Sequence, residues 1–255
     1  MTEQRTPAEP DLVKIKEQVY EDPRSAEELE RFYQRALTHR PDRWIYDIVR
    51  VMMSLLAWVG YRTRTIDSAN VPTSGPLIFA PNHFSNLDHF FMGQATRRKV
   101  QFMAKSQLFK GPMTYVYMHG GVFPVRRGRR DERSFEIVHA IMGRDGTVCV
   151  YCEGGRSRTG RLAESAKPGI GRIALETGAP VVPVGISGSQ LARNWTRLRF
   201  PRVTVRYGEA MRWEPVADPT REQQQAVADE IFAEIRRLHA SLESGTRGPG
   251  GRLSA

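Results

Sequence analysis

The stretch Pro76-Leu77-Ile78-Phe79-Ala80-Pro81-Asn82-His83-Phe84-Ser85-Asn86-Leu87-Asp88 reads as a buried strand that turns into a helix. Leu77–Ala80 is an unbroken apolar run, of a length that suits a strand covered on both faces and falls short of a helix. Pro81 and Asn82 interrupt it, and a helical pattern then runs from Leu87 to Ala95. The same punctuation recurs further along. Val122–Val125, Thr147–Tyr151 and Val181–Gly185 read as buried strands, and Pro112–His119, Glu132–Met142 and Gly169–Thr177 read as helices. Strands alternating with helices predict an α/β fold, with a central, mostly parallel sheet flanked by helices. Arg202–Tyr207 reads as an edge strand. A last helix starts near Thr220, where Gln223 completes a capping box, with Val227, Ile231, Ile235, Leu238 and Leu242 on its apolar face.

The N-terminal part differs from this body. Residues 1–40 hold seven Lys/Arg against nine Asp/Glu, so the net charge of +10 for the 255-residue chain leaves +12 on residues 41–255. Residues 11–37 have helical spacing broken at Pro23, which predicts a helical N-terminal extension over 1–61, followed by an α/β domain over 62–243 and a Gly-rich, disordered tail over 244–255. Met1 to Pro10 shows no secretory signal pattern. Cys149 and Cys152 are too few for a disulfide scaffold and imply a reducing compartment. Their C-x-x-C spacing, with no second pair, makes a weak redox or metal half-site.

Within the extension, Trp44, Ile48, Val51, Met52, Leu55 and Val59 form one helical stripe, with Asp47, Arg50 and Ser54 opposite. A helix over 44–60 is about 25 Å long, short of a bilayer core of about 30 Å, and its charges are costly at mid-membrane. An interfacial helix with Trp44 and Trp58 as anchors satisfies the pattern. On periodicity alone, a helix packed on the protein's own core is the more ordinary reading.

An excess of basic charge implies an anionic partner: nucleic acid, an acidic membrane surface or a phosphorylated substrate. Four segments carry candidate chemistry. In the first, His83 follows a strand and Asp88 lies five positions on, where its carboxylate can accept the imidazole Nδ1–H and leave Nε2 as a base for an alcohol. The bland alternative is a helix cap. In the second, Gly120–Arg126 is a strand ending in Arg126, a side chain suited to bidentate phosphate capture, or to a solvated basic loop. In the third, Tyr151–Ser157 runs from a strand into a Gly-rich loop. There Gly154 lets backbone approach an anion, Arg156 supplies charge, and Glu153 is placed to bind a hydroxyl or orient Arg156. The fourth, Val181–Val184, speaks only of packing.

Taken together and in order, these segments resemble the glycerolipid acyltransferase family, typified by 1-acyl-sn-glycerol-3-phosphate acyltransferase. His83 and Asp88 match its H-x4-D motif, Gly120–Arg126 its Gly-hydrophobic-Phe-Arg strand, Tyr151–Ser157 its F-P-E-G-T-R-S motif and Val181–Val184 its V-I-P-V-like strand. The resemblance covers about residues 70–210. Cys152 and Gly155 replace the usual Pro and Thr, Asn86 stands where many members have an aromatic, and Gln107 takes an acidic place. The resemblance implies acyl transfer from acyl-CoA or acyl carrier protein to the hydroxyl of a lysophospholipid, 1-acyl-glycerol-3-phosphate first. Glycerol-3-phosphate or another lysolipid is the alternative acceptor. It implies His83 and Asp88 as catalytic residues, and Arg126, Glu153, Gly154, Arg156, Lys105 and Lys167 as substrate-binding. It implies no metal and no cofactor. It also favours a membrane-facing role for residues 44–60, at the cytoplasmic face of an anionic membrane, as a peripheral or monotopic protein. A nucleic-acid-binding reading fares poorly, because no aromatic residues interleave the Arg runs.

Overall fold

The structure is a computed structural model describing residues 26–126, 131–157, 159–192 and 200–244; the first stretch of the expected extension, the run 127–130 and the expected tail beyond 244 lie outside it. Seven strands form one sheet: β1 (Arg64–Ile66), β2 (Leu77–Pro81), β3 (Val100–Lys105), β4 (Val122–Val125), β5 (Thr147–Cys149), β6 (Val181–Ser187) and β7 (Thr204–Tyr207). Their spatial order is β1-β7-β6-β2-β5-β3-β4. Every pairing is parallel except β6 with β7, so β6, β2, β5, β3 and β4 all run the same way.

Alternate strand residues feed two cores, as expected for a sheet covered on both faces. Ile78, Ala80, Val148, Val150 and Val181 join one core with helices α1 (Ala26–Thr38), α5 (Glu132–Met142), α6 (Gly169–Thr177) and α7 (Arg221–Glu243). Leu77, Phe79, Cys149, Val182 and Val184 join the other, with Phe91 and Met92 of the short α3 (Asp88–Met92). α5 and α6 fall where the spacing predicts them, and α7 opens with the expected box: Gln223 N–H donates to Thr220 Oγ1, and Thr220 N–H donates to Gln223 Oε1. Two readings are corrected. Arg202–Tyr207 is not an edge strand, because β1 pairs outside β7. β1 has only three residues, two of them exposed, too few to register as a period. β3 was not expected either: only Val100 and Gln101 of its six residues are fully buried, so its alternation is weak.

The stripe over 44–60 forms helix α2 (Arg43–Leu55), which continues as a wider π turn over Leu56–Gly60. It is not packed on the described core. Trp44 is 62% exposed and Trp58 73%, and Ile48, Val51, Met52, Leu55 and Val59 are exposed too; Ile45 and Ala57 face inward. This removes the core-packing reading. No helix among the described residues is long and apolar enough to cross a membrane. The corner before α2 is tied down by Asp42, which accepts from Arg35 at 2.9 Å and pairs with His119 at the end of helix α4 (Met113–His119). The hydrogen bond from His119 holds the Asp42 carboxyl below its ordinary range.

α6 crosses α7 at Gly171, where a Cβ would overlap the Gln224 carbonyl oxygen. Gly171→Ala is therefore expected to force the two helices apart and to lower stability by about 1–3 kcal/mol, measured as a shift in the urea unfolding midpoint; an unchanged midpoint would show that this crossing yields freely.

Candidate active site

Because β2, β5, β3 and β4 run in parallel, their C-terminal ends share one edge, where α/β sheets bind ligands. His83 and Asp88 follow β2, Lys105 ends β3, Arg126 follows β4, and Glu153, Gly154 and Arg156 occupy the loop after β5. Lys167 precedes α6 and lies against that loop.

Asp88 is fully buried and is the first residue of α3. Its Oδ2 is 3.0 Å from His83 Nδ1 and accepts the Phe84 and Ser85 backbone N–H groups at 2.6 and 2.7 Å. One carboxylate thus caps the loop and orients the imidazole, so the cap and the base-orienting readings are both true. With Nδ1 donating to Asp88, Nε2 is the basic nitrogen.

The backbone of His83 is clamped from the neighbouring strands. Its N–H donates to Glu153 Oε1 at 2.8 Å, and its carbonyl accepts the Ser157 N–H at 2.8 Å. The other Glu153 oxygen accepts the Ala163 N–H at 3.2 Å. Glu153 therefore joins three loop segments through backbone amides. On the other side, Asn82 is fully buried and makes a two-way bond with Ile186 of β6, donating at 3.0 Å and accepting at 2.7 Å. Tyr151 stacks on the His83 ring, with centroids 3.9 Å apart and planes 21° from parallel. The sequence offers Asn82 only as a helix-cap candidate and gives Tyr151 no role of its own. Their partners are 104 and 68 positions away, and no local pattern announces them.

The positive groups differ in setting. Arg156 is half-buried; burial pulls its pKa down, while the charge of Asp88 opposes the shift. Gly154 has φ +67°, a conformation that favours glycine, and a Cβ there would crowd Lys167 Cγ at 3.0 Å. Lys105 registers with Val125, one position before Arg126 on the adjacent strand. Arg126 N–H donates to Asp131 at 2.7 Å, and its buried Nε makes no hydrogen bond among the described residues. β4 is three strands from β2, so at about 4.8 Å per strand the Arg126 backbone stands roughly 14 Å from that of His83.

A cavity of about 340 Å³ lies among α2, α3, α4 and the strands β3 and β4, lined by Tyr46, Val49 and Met53 of α2, Phe90 of α3, Phe102 of β3 and Val116 of α4. Its wall is almost wholly apolar. His89 also lines it; burial foremost, then the nearby His83, pushes the His89 pKa down to about 4, which keeps this imidazole neutral. Cys149 and Cys152 are buried free thiols. No group of three His, Cys, Asp or Glu among the described residues is placed to hold a metal ion.

Asn82→Ala would strip the buried N–H and C=O of Ile186 of their partner. The expected cost is about 2–4 kcal/mol, read by chemical denaturation; an unaltered unfolding curve would show that the clamp between β2 and β6 is dispensable.

Comparison with known proteins adds three findings. The sequence model of a family described as Acyltransferase matches residues 62–187. A 1-acyl-sn-glycerol-3-phosphate acyltransferase of Cocos nucifera is 27% identical over 164 residues, covering 60% of this chain and 51% of that protein. A 1-acyl-sn-glycerol-3-phosphate acyltransferase beta of Homo sapiens is 27% identical over 165 residues, covering 60% and 59%. The matches thus span little more than half the length of these relatives. Among solved structures, the 1-acyl-sn-glycerophosphate (LPA) acyltransferase PlsC of Thermotoga maritima superposes with a TM-score of 0.60 at 21% identity, over 86% of this chain and 90% of that one, a likeness of fold.

Proposed function

The chain belongs, through residues 62–187, to the acyltransferase family, and on that premise we propose that it transfers an acyl group from acyl-CoA or acyl carrier protein to the free hydroxyl of 1-acyl-glycerol-3-phosphate, forming phosphatidic acid. The observation that carries this reading is the His83–Asp88 pair, 3.0 Å apart and clamped at the edge where the basic side chains gather.

The mechanism follows from that geometry. Asp88 holds His83 with Nδ1 as donor, and Nε2 takes the proton of the acceptor hydroxyl. The hydroxyl oxygen attacks the thioester carbonyl, and backbone amides of the loops stabilise the oxyanion. The carbon–sulfur bond then breaks. The thiolate leaves readily, since its conjugate acid has a pKa of about 8.5, and it recovers the proton from His83. Arg126, Arg156, Lys105 and Lys167 hold the glycerol phosphate, with Gly154 admitting it closely. Glu153 acts by fixing the loop that carries His83. The apolar cavity suits an acyl chain, and His89 joins its wall to the His83 neighbourhood. In this reading neither a metal nor a cofactor takes part.

We also propose that the exposed stripe of α2 rests in the headgroup layer of an anionic membrane at its cytoplasmic face, with the basic surface drawn to the lipid charge. An exposed apolar face on a chain carrying +10 supports this.

A panel of lysophosphatidic acid and glycerol-3-phosphate against acyl-CoA and acyl carrier protein donors tests the reaction. Acylation of lysophosphatidic acid is expected, with His83→Ala folded and slower by about 10²–10⁴-fold. Acylation of glycerol-3-phosphate alone would replace the acceptor, and full turnover by His83→Ala would remove the base. For the membrane role, Trp44→Ser/Trp58→Ser is expected to weaken sedimentation with anionic vesicles by at least roughly tenfold. Equal sedimentation would release α2 from that role.

A further inference from the structure

The His83 imidazole has two neighbours that bear on its proton: Asp88 in the ring plane and Tyr151 over the ring face, 3.9 Å away at 21°. We propose that Tyr151 is a positioning residue for His83, whose ring fixes the imidazole plane against Asp88 and stabilises the cation formed when Nε2 takes the acceptor's proton. This rests on the acyl-transfer reading given above.

The placement of Tyr151 makes the contact a fixed one. It lies two residues beyond β5, and His83 lies two residues beyond β2, so both side chains leave the adjacent ends of two paired strands. Glu153 and Ser157, two and six positions further on, grip the His83 N–H and C=O. The short segment 151–157 therefore supplies both the backbone clamp and the ring plate. An aromatic face carries negative electrostatic potential and attracts a cation held over it, most strongly where water is excluded. Neutral imidazole gains little from this; imidazolium gains more, so the benefit grows along the reaction coordinate.

Other groups around His83 share in its titration. Asp88 bonds Nδ1, Glu153 bonds the backbone N–H, His89 adds a like charge when protonated, and Arg156 acts on Asp88 from the β5 loop. Cys149 sits near Tyr151, and His239 of α7 meets Phe84 edge-on at 5.3 Å. Tyr151→Phe and Tyr151→Leu both lose the hydroxyl that faces Cys149, so comparing the two isolates the ring face, while the bonds of Asp88 and Glu153 to His83 involve no Tyr151 atom.

The test compares Tyr151→Phe with Tyr151→Leu in the full chain, with lysophosphatidic acid and an acyl-CoA as substrates. The Phe variant keeps the face and is expected to keep kcat within about twofold. The Leu variant is expected to lose kcat by about tenfold with KM little changed. The acid limb of its kcat profile should move to lower pH, because a base without the ring plate is protonated less readily. Tyr151→Met, which fills similar space without a ring, gives the same readouts where Leu prevents folding. A Leu or Met variant with wild-type kcat and an unmoved limb overturns the proposal. So does a loss of kcat with the limb unmoved, which would mean packing alone, and so does a Phe variant as impaired as Leu. Inactivity of the unmodified chain toward every acceptor would count against the acyl-transfer reading instead. In that event, NMR titration of the His83 ring in wild type and Tyr151→Leu still reads the stack, with identical titration curves overturning it.

Discussion

Parallel pairing across β6, β2, β5, β3 and β4 obliges each connection to cross back over a sheet face before the next strand can begin. Every crossing starts from the same edge, so everything immediately after a strand is delivered to one place. His83, Lys105, Arg126 and the Glu153 loop are scattered over seventy positions of chain, yet each lies at or just beyond the C-terminal end of a strand. No long-range polar recognition is needed to gather them. Hydrophobic burial of the strands does it, and the polar groups travel with the backbone. The clamps at Asn82 and Glu153 then remove the slack that a loop at a sheet edge would otherwise keep.

This division explains what the sequence makes legible. The strand at Val122–Val125 and helices α5 and α6 are bounded by glycine, proline or charge and have full periods, so they read clearly. His83 and Asp88 are legible because their interaction closes within five residues, a distance that a turn can show in a pattern. β1 and β3 are not, since one is too short and the other too weakly alternating. Nor are the Asn82–Ile186 bond and the His83–Tyr151 stack, which exist only once the register of β2 with β6 and β5 is set. Glu153 is the intermediate case: its importance is visible in the motif, while its occupation with backbone amides belongs to the tertiary structure.

The two apolar features of the surface are parts of one arrangement. α2 turns its outer stripe to solvent and lends Tyr46, Val49 and Met53 to the cavity wall. The ties of Asp42 to Arg35 and to His119 fix the corner from which α2 departs, so the outward stripe and the inward lining keep a set relation. A helix rotated by a third of a turn would lose both. Its exposed face is thus held in place by the same packing that shapes the cavity.

Cys149 and Cys152 sit within the β5 segment that leads to the Glu153 loop, close to where an acyl thioester would be presented. Thiolates exchange with thioesters, and a reactive cysteine here would capture the acyl group as a dead-end adduct on the protein itself. Burial pushes both thiols well above their ordinary range, so they stay protonated and closed to attack. Under the proposed acyl transfer, the packing around β5 would keep both thiols from capturing the acyl group, a safeguard that comes from dry packing rather than from the absence of sulfur.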